Sequence, residues 1–335
     1  MNLKILSNDE IKKAVKMGDA IDIIRNAFIQ FSQGKSEVPL RTLIPVGERN
    51  ARTLFMPAYL KESRALGIKI LSIFPENRKT GLPASHAVTV LVDPVTGQPR
   101  AFMDARYLTA LRTGGVSGVA TDLLARKDAR VVAIIGTGIQ GRAQLEAVCS
   151  VRSVEKIFIY DISPRAAHAF AEEMGTLKTI PKNIRVVQSP RDALSEADIV
   201  CTATPSVTPV FQDEDIKEGT HINAIGSYTS SMQEIPEKTV TRSKIVVDSL
   251  EACLAEAGDL IIPLKKGLIT EYDIHGQLGD ILSGIIVGRE DEEEITFFKS
   301  VGLAIQDMAI SAYALRQAQK LNIGHDVEFE TQESS

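Results

Sequence analysis

The sequence predicts an α/β protein in which a doubly wound parallel sheet is joined to an α plus antiparallel β domain. Three observations carry this. Val131–Ile135 is a continuous apolar run that leads into a glycine-rich turn and then a helical pattern. Such a run is the pattern of a strand buried on both faces. From there to Asp248, strand-like and helix-like segments alternate, as parallel sheets with crossover helices require. Ahead of it, between Val38 and Ala105, short strand-like segments are separated by Gly, Pro, Asn and Asp, the texture of antiparallel strands.

Taken in order, Ser7 and Glu10 have the spacing of a capping box and open a short first helix. A second helix is expected from Asp19 to Gln33, with Ile24, Ala27, Phe28 and Phe31 on one face. Thr53–Met56, Gly67–Phe74, Ala87–Val92 and Arg100–Met103 are expected strands, and Asp93–Gly97 a hairpin loop. A helix follows from Ala105 to Ala125. After Val131–Ile135 and its turn comes a helix containing Leu145 and Val148, then a strand Ile157–Tyr160 ending at Asp161. A helix from Pro164 to Met174 precedes strands at Ile184–Val187, Ile199–Thr202, Ile222–Ile225 and Ile245–Val247. The acidic run Glu290–Glu294 is expected to start a solvated helix rather than to bind metal. A long helix is expected from Val301 to Leu321, and a polar tail, Glu328–Ser335, is expected to fray.

The 335 residues suffice for two domains, and 44% hydrophobic with 24% charged residues is a soluble, globular composition. A net charge of −5 argues against nucleic acid and anionic membranes as partners. No signal-peptide pattern and no membrane-length apolar run is present, so a cytoplasmic location is expected. The cysteines, Cys149, Cys201 and Cys253, are scattered and odd in number, which fits a reducing compartment. None lies in a metal-ligand spacing, so no metal is expected.

Gly136-Thr137-Gly138-Ile139-Gln140-Gly141 follows a strand and opens a helix, and Asp161 closes the next strand. This is the context of a Rossmann dinucleotide site. Gly136 permits the tight turn, Gly138 lets backbone approach a pyrophosphate, and Gly141 lets helix and strand pack closely. The helix N-terminus offers free N–H groups and partial positive charge to the phosphates. Asp161 is placed to accept from the adenosine ribose hydroxyls and to repel a 2′-phosphate, which favours NAD; Arg165 nearby leaves NADP possible. Thr202, Ala203 and Thr204 end a strand beside the crevice, where hydroxyls line a nicotinamide or simply make a turn.

Beyond this loop, Phe55-Met56-Pro57-Ala58, Gly67-Ile68-Lys69, Met103-Asp104-Ala105, Ala110-Leu111-Arg112-Thr113-Gly114, His221-Ile222-Asn223-Ala224-Ile225-Gly226, Gly288-Arg289-Glu290 and Ser300–Asp307 are distinctive. Through them the chain resembles the ornithine cyclodeaminase/mu-crystallin family, which includes archaeal-type alanine dehydrogenases and ketimine or pyrroline-2-carboxylate reductases. The resemblance covers almost the whole chain. It implies a Rossmann NAD(P)-binding domain at 122–304 and a substrate-binding, dimerisation domain of the α+β type built from both chain ends, 1–121 and 305–335. It implies a homodimer acting on a small amino or imino acid.

Position by position, the resemblance implies that Arg52 and Arg112 bind the substrate carboxylate, that Arg41 is a second basic substrate-binding position and that Lys69 is the active-site lysine. It places Thr113, Gly226, Ser300 and Gly302 around the cofactor with the glycine loop. The residue types suit these roles. A guanidinium binds a carboxylate through two parallel hydrogen bonds. A lysine in a partly dry pocket shifts toward neutrality and exchanges protons with a substrate nitrogen. Lys69 also interrupts an apolar run, Leu66–Leu71, where a charge needs a partner.

One position departs from the pattern. Tyr228 stands where cyclodeaminases and the related alanine dehydrogenases carry an aspartate. A phenol, with an ordinary pKa of about 10, is not a ready base at neutral pH, but it donates a hydrogen bond. This weakens a cyclodeaminase reading and favours reduction of a cyclic imine such as Δ1-pyrroline-2-carboxylate. Ser85-His86 resembles the mu-crystallin branch, and His86 is expected either to assist Lys69 and Tyr228 or to be a strand histidine satisfied by backbone. Alanine dehydrogenase, ornithine cyclodeaminase and a non-catalytic, mu-crystallin-like ligand-binding protein remain the other readings.

Overall fold

The structure, a computed structural model, describes residues 2–329, the Arg78 side chain apart. The chain divides into two compact units, one running up to Arg112 and resuming at Leu303, the other Thr113–Gly302. The division falls inside the helix Arg106–Leu124, earlier than the sequence boundary at 121/122. Arg112 bonds to Gln306, whereas the Thr113 carbonyl and the Thr121 hydroxyl accept from Gln144 and Asn223.

The first unit is an eight-stranded sheet in the order His325–Glu328, Asn2–Leu6, Pro99–Asp104, Ser85–Val92, Ala65–Ile73, Ala51–Leu60 and Ser36–Glu37, with Thr42–Val46 also pairing with Ala51–Leu60. Its pairs are antiparallel except Asn2–Leu6 with Pro99–Asp104. The central strands alternate, so one face buries Leu54, Met56, Lys69, Thr89 and Met103. The helix Ala304–Leu321 packs on the strands of that face, and Met17–Ser32 packs on it in turn. The expected capping box forms at Asn8–Ala14, where the Ser7 N–H donates to Glu10 at 2.8 Å. The expected hairpin closes through Gly97 N–H to the Asp93 carbonyl at 2.9 Å. Of the expected tail, Glu328 ends a strand paired with Asn2–Leu6, and residues 330–335 lie outside the described residues.

The second unit is an eight-stranded, all-parallel sheet. Its order is Ile184–Val186, Lys156–Tyr160, Val131–Ile135, Ile199–Thr202, His221–Ala224, Thr296–Lys299, Lys244–Val247 and Ile274–Gln277. From Val131–Ile135 the chain builds outward on one side and then returns to build on the other. The switch point therefore lies between the carboxyl ends of Val131–Ile135 and Ile199–Thr202, where open α/β sheets bind ligands. The strands Ile199–Thr202 and His221–Ala224 are buried throughout. The acidic run at 290–294 is no helix start. It is an irregular segment entering Thr296–Lys299, held by Lys244 on Glu290 (2.7 Å) and Glu294 (2.6 Å). These ion pairs and the bonds of Arg289 to the Asp291 and Glu294 carbonyls replace helical bonding.

Candidate active site

In the second unit, Gly136 leaves its strand with φ of 98°, which a side chain would strain, and its N–H donates to the Tyr160 carbonyl at 3.0 Å. A Cβ on Gly141 would sit 2.2 Å from the Gly136 carbonyl oxygen, so helix Ile139–Val151 approaches the strand only because that position is glycine. Gly138 is the cap of this helix, and a Cβ there would meet nothing within 4 Å. An open, side-chain-free space at a helix N-terminus fits a pyrophosphate. Asp161 is already tied to the loop. Its Oδ2 accepts from the Thr137 N–H (2.9 Å) and hydroxyl (2.8 Å), and Oδ1 from the Ser163 N–H (2.9 Å). Each oxygen keeps acceptor capacity for a ribose hydroxyl. Arg165 lies exposed on the first turn of Pro164–Gly175, Ile139 is exposed and Gln140 half-buried. Arg142, not anticipated from the sequence, braces the loop by donating to the Thr137 and Gly138 carbonyls while pairing with Glu173.

The hydroxyls of Thr202 and Thr204, which the sequence left as either lining a nicotinamide or making a turn, are turned inward. Thr202 and Thr204 donate to the buried carboxylate of Glu234, at 3.0 and 2.8 Å. Ser300 donates to Asp248 at 2.6 Å, and the Gly302 N–H does so at 2.8 Å. These residues shape the loops from behind, because buried carboxylates behind the sheet ends need donors. Ala203 is half-buried, and Gly226 donates its N–H to Glu234. Thr113 is buried with its hydroxyl unpartnered, and Tyr228 is part-exposed after the strand His221–Ala224.

In the first unit, Lys69 is fully buried, with Nζ 2.7 Å from Asp307. Asp307 also lies 3.2 Å from Nε of Arg112, whose Nη1 donates to Gln306 at 2.7 Å. Burial lowers the Lys69 pKa to about 8; Asp307 opposes this, and the positive charges of Arg112 and Arg41 add to it. Gln306 Nε2 is buried without a partner, a donor suited to an entering carboxylate. Arg52 shares the face of Lys69, because Met56 pairs with Lys69 and Arg52 lies an even number of residues before Met56. The structure thus brings Lys69 and Arg112 together through Asp307, with Arg52 on the face of Lys69 and the charge of Arg41 felt at Lys69.

His86 is not among them. It pairs with Ser72, and Thr89 pairs with Lys69, so His86 projects from the opposite face. It lines an outer cavity of about 340 Å³ with Ser7, Glu10, Asp104, Arg106 and His325. Its expected assistance to Lys69 is corrected by this register. Asp307 and Glu234, like Arg142, were missed by sequence reasoning. For Asp307 a signal was present: Gln306-Asp307 is a polar pair at the start of a helix whose other buried residues, Ser311 apart, are apolar.

Residues 1–320 match the ornithine cyclodeaminase/mu-crystallin family. A Δ1-pyrroline-2-carboxylate reductase of Bacillus cereus is 40% identical over 326 residues, 97% of this chain and 99% of that protein. The solved Δ1-pyrroline-2-carboxylate reductase of Thermococcus litoralis, in complex with NADH and L-proline, is similar with a TM-score of 0.93 at 46% identity, covering 97% of this chain and 100% of that one. An archaeal alanine dehydrogenase dimer with bound NAD gives a TM-score of 0.92 at 36% identity, covering 98% and 100%.

Proposed function

The chain belongs to the ornithine cyclodeaminase/mu-crystallin family, and from that premise we propose that it is an NADH-dependent reductase converting Δ1-pyrroline-2-carboxylate to L-proline. The observation that carries this reading is the buried Lys69–Asp307–Arg112 cluster. Bound NADH supplies the hydride for the imine carbon. Arg52 and Arg112 hold the substrate carboxylate, with Gln306 Nε2 as an added donor. With a pKa of about 8, Lys69 is mostly protonated at neutral pH, and it gives that proton to the ring nitrogen as the C=N bond becomes CH–NH. Asp307 keeps the ammonium in place and charged until then. Tyr228 contributes a hydrogen-bond donor rather than a base, so no residue at that position takes up a proton from a substrate amine. Asp161, tied to the glycine loop, favours NAD over NADP by repelling a 2′-phosphate.

The assay is loss of NADH absorbance with Δ1-pyrroline-2-carboxylate, alongside pyruvate with ammonia, and ornithine with NAD. Rapid oxidation with the cyclic imine is expected. Oxidation with pyruvate and ammonia alone would move the assignment to an alanine dehydrogenase, the activity of the archaeal relative. Proline and ammonia formed from ornithine would refute the argument from Tyr228.

We also propose a homodimer. The outer face of the first sheet carries Phe55, Ile70 and Val88 in one row and Pro57, Ile68 and Val90 in the next, an apolar surface suited to a second copy. Among the described residues no helix is long and apolar enough to cross a membrane. The three cysteines are free, which supports a reducing, cytoplasmic setting, testable by fractionation.

A further inference from the structure

Glu234 lies on no strand or helix of the sheet, yet it is fully buried at the carboxyl ends of two adjacent strands. Its Oε1 accepts from the Thr204 N–H (2.6 Å) and hydroxyl (2.8 Å). Its Oε2 accepts from the Thr202 hydroxyl (3.0 Å) and the N–H groups of Gly226 (2.7 Å) and Ser227 (3.1 Å). One carboxylate therefore ties the loop after Ile199–Thr202 to the loop after His221–Ala224. Glu234 is itself held from behind. Asp259 accepts from the Glu234 and Ile235 N–H groups at 2.7 and 3.1 Å. Lys299 pairs with Asp259 at 2.8 Å and donates to the Ala224 carbonyl at 3.2 Å. The Glu234 pKa is raised above the ordinary carboxylate value, chiefly by burial and then by the charge of Asp259, with Lys299 and the Thr204 donors pulling the other way. The N–H groups of Thr204, Gly226 and Ser227 can only donate, so each carboxylate oxygen is held as an acceptor.

The strand order says which part of a dinucleotide meets these loops. Asp161 ends the strand on one side of Val131–Ile135, and the Thr204 and Gly226 loops end the strands on the other side. A cofactor lying across the switch point with its adenosine at Asp161 has its nicotinamide half at Thr204 and Gly226. The contact is tight, since a Cβ on Gly136 would come within 2.7 Å of the Ala203 carbonyl oxygen.

We propose that Glu234 is the positioning residue of the nicotinamide subsite, holding the Thr204 and Gly226 loops together as one wall while leaving the adenosine subsite untouched. This deepens the reading above and rests on it. Replacing Glu234 by Gln turns an acceptor oxygen into an NH₂ group. In either orientation, buried N–H donors of Thr204 or of Gly226 and Ser227 then face another donor at a fully buried position.

The test measures NADH and ADP-ribose affinities for the wild-type protein and E234Q, with the fold checked by circular dichroism. NADH is expected to bind about tenfold more weakly to E234Q, with ADP-ribose unchanged within about twofold. A merely structural role would weaken both ligands alike, and that result, or unchanged NADH binding, overturns the proposal. If E234Q does not fold, Thr202→Val decides. It removes one inward donor without creating a donor clash, and a selective loss of about threefold for NADH supports the assignment, while no difference between the ligands overturns it. A wild-type protein that binds neither ligand would instead remove the cofactor reading, and this proposal with it.

Discussion

Removing the carboxylate of Asp307 should move the alkaline limb of the pH–rate profile by a calculable amount. Lys69 has a folded pKa of about 8 against an ordinary 10.5, so it is a proton donor only below that value. kcat/KM for imine reduction is therefore expected to be flat at neutral pH and to fall as pH rises through about 8. L-Proline oxidation, which needs neutral Lys69, should rise through the same point. Asp307 raises the Lys69 pKa, while burial, Arg112 and Arg41 lower it. In Asp307→Asn the raising contribution is lost. A nearby opposite charge is worth about 1–3 pKa units, so a two-unit drop, about 3 kcal/mol, is a central expectation and puts Lys69 near about 6. At about pH 7.5, wild-type Lys69 is about three-quarters protonated and the variant about 3%, a loss of roughly 25-fold. At about pH 5.5 the deficit should shrink to within about twofold. The assay is NADH-dependent reduction of Δ1-pyrroline-2-carboxylate over this range. The substrate's own titration is common to both proteins and cancels in their ratio. A constant deficit at every pH, or an identical limb in both proteins, would refute the assignment of Lys69 as the donor held by Asp307.

Other expectations follow from the same geometry. Arg52→Ala should lower kcat/KM by about 100-fold while leaving NADH binding unchanged, since a charge-assisted, two-bond contact to the substrate carboxylate is lost; loss of NADH affinity instead would place Arg52 in the cofactor site. Gly138→Val should fold normally and lose NADH binding, because its side chain enters open space, whereas Gly141→Ala should lower stability by about 1–3 kcal/mol in a denaturant titration, because its Cβ meets the Gly136 carbonyl. Equal stability of the two variants would contradict the packing described for the loop. Ile70→Asp, on the outer sheet face, should give a monomer in sedimentation while the wild-type protein sediments as a dimer; an unchanged mass would move the interface elsewhere.

Local pattern made much of the fold legible. Val131–Ile135 reads as a doubly buried strand because each of its residues must be apolar there. Gly136, Gly138 and Gly141 read as a nucleotide loop because turn, approach and packing each demand glycine at a fixed offset. The capping box of Ser7 and Glu10 and the hairpin at Asp93–Gly97 are likewise short-range. What escaped depends on distant partners. Asn2–Leu6, Thr42–Val46 and Thr296–Lys299 are short strands defined by the neighbours they pair with. The run at 290–294 has the acidity of a helix start but is taken up by Lys244 from another strand.

The sequence alone determined the two fold types and the glycine loop followed by Asp161, because these follow from residue type at near-neighbour spacing, whereas the roles proposed for Lys69, Arg52 and Arg112 came through the family resemblance. Only the tertiary structure decided which charges act together. Asp307 reaches Lys69 and Arg112 because the last helix lies on the buried face of the first sheet. Glu234 joins two loops because their strands are neighbours in a parallel sheet. His86 is turned away from Lys69 because strand register sets the face of every side chain, and register is a property of the pairing, not of the strand.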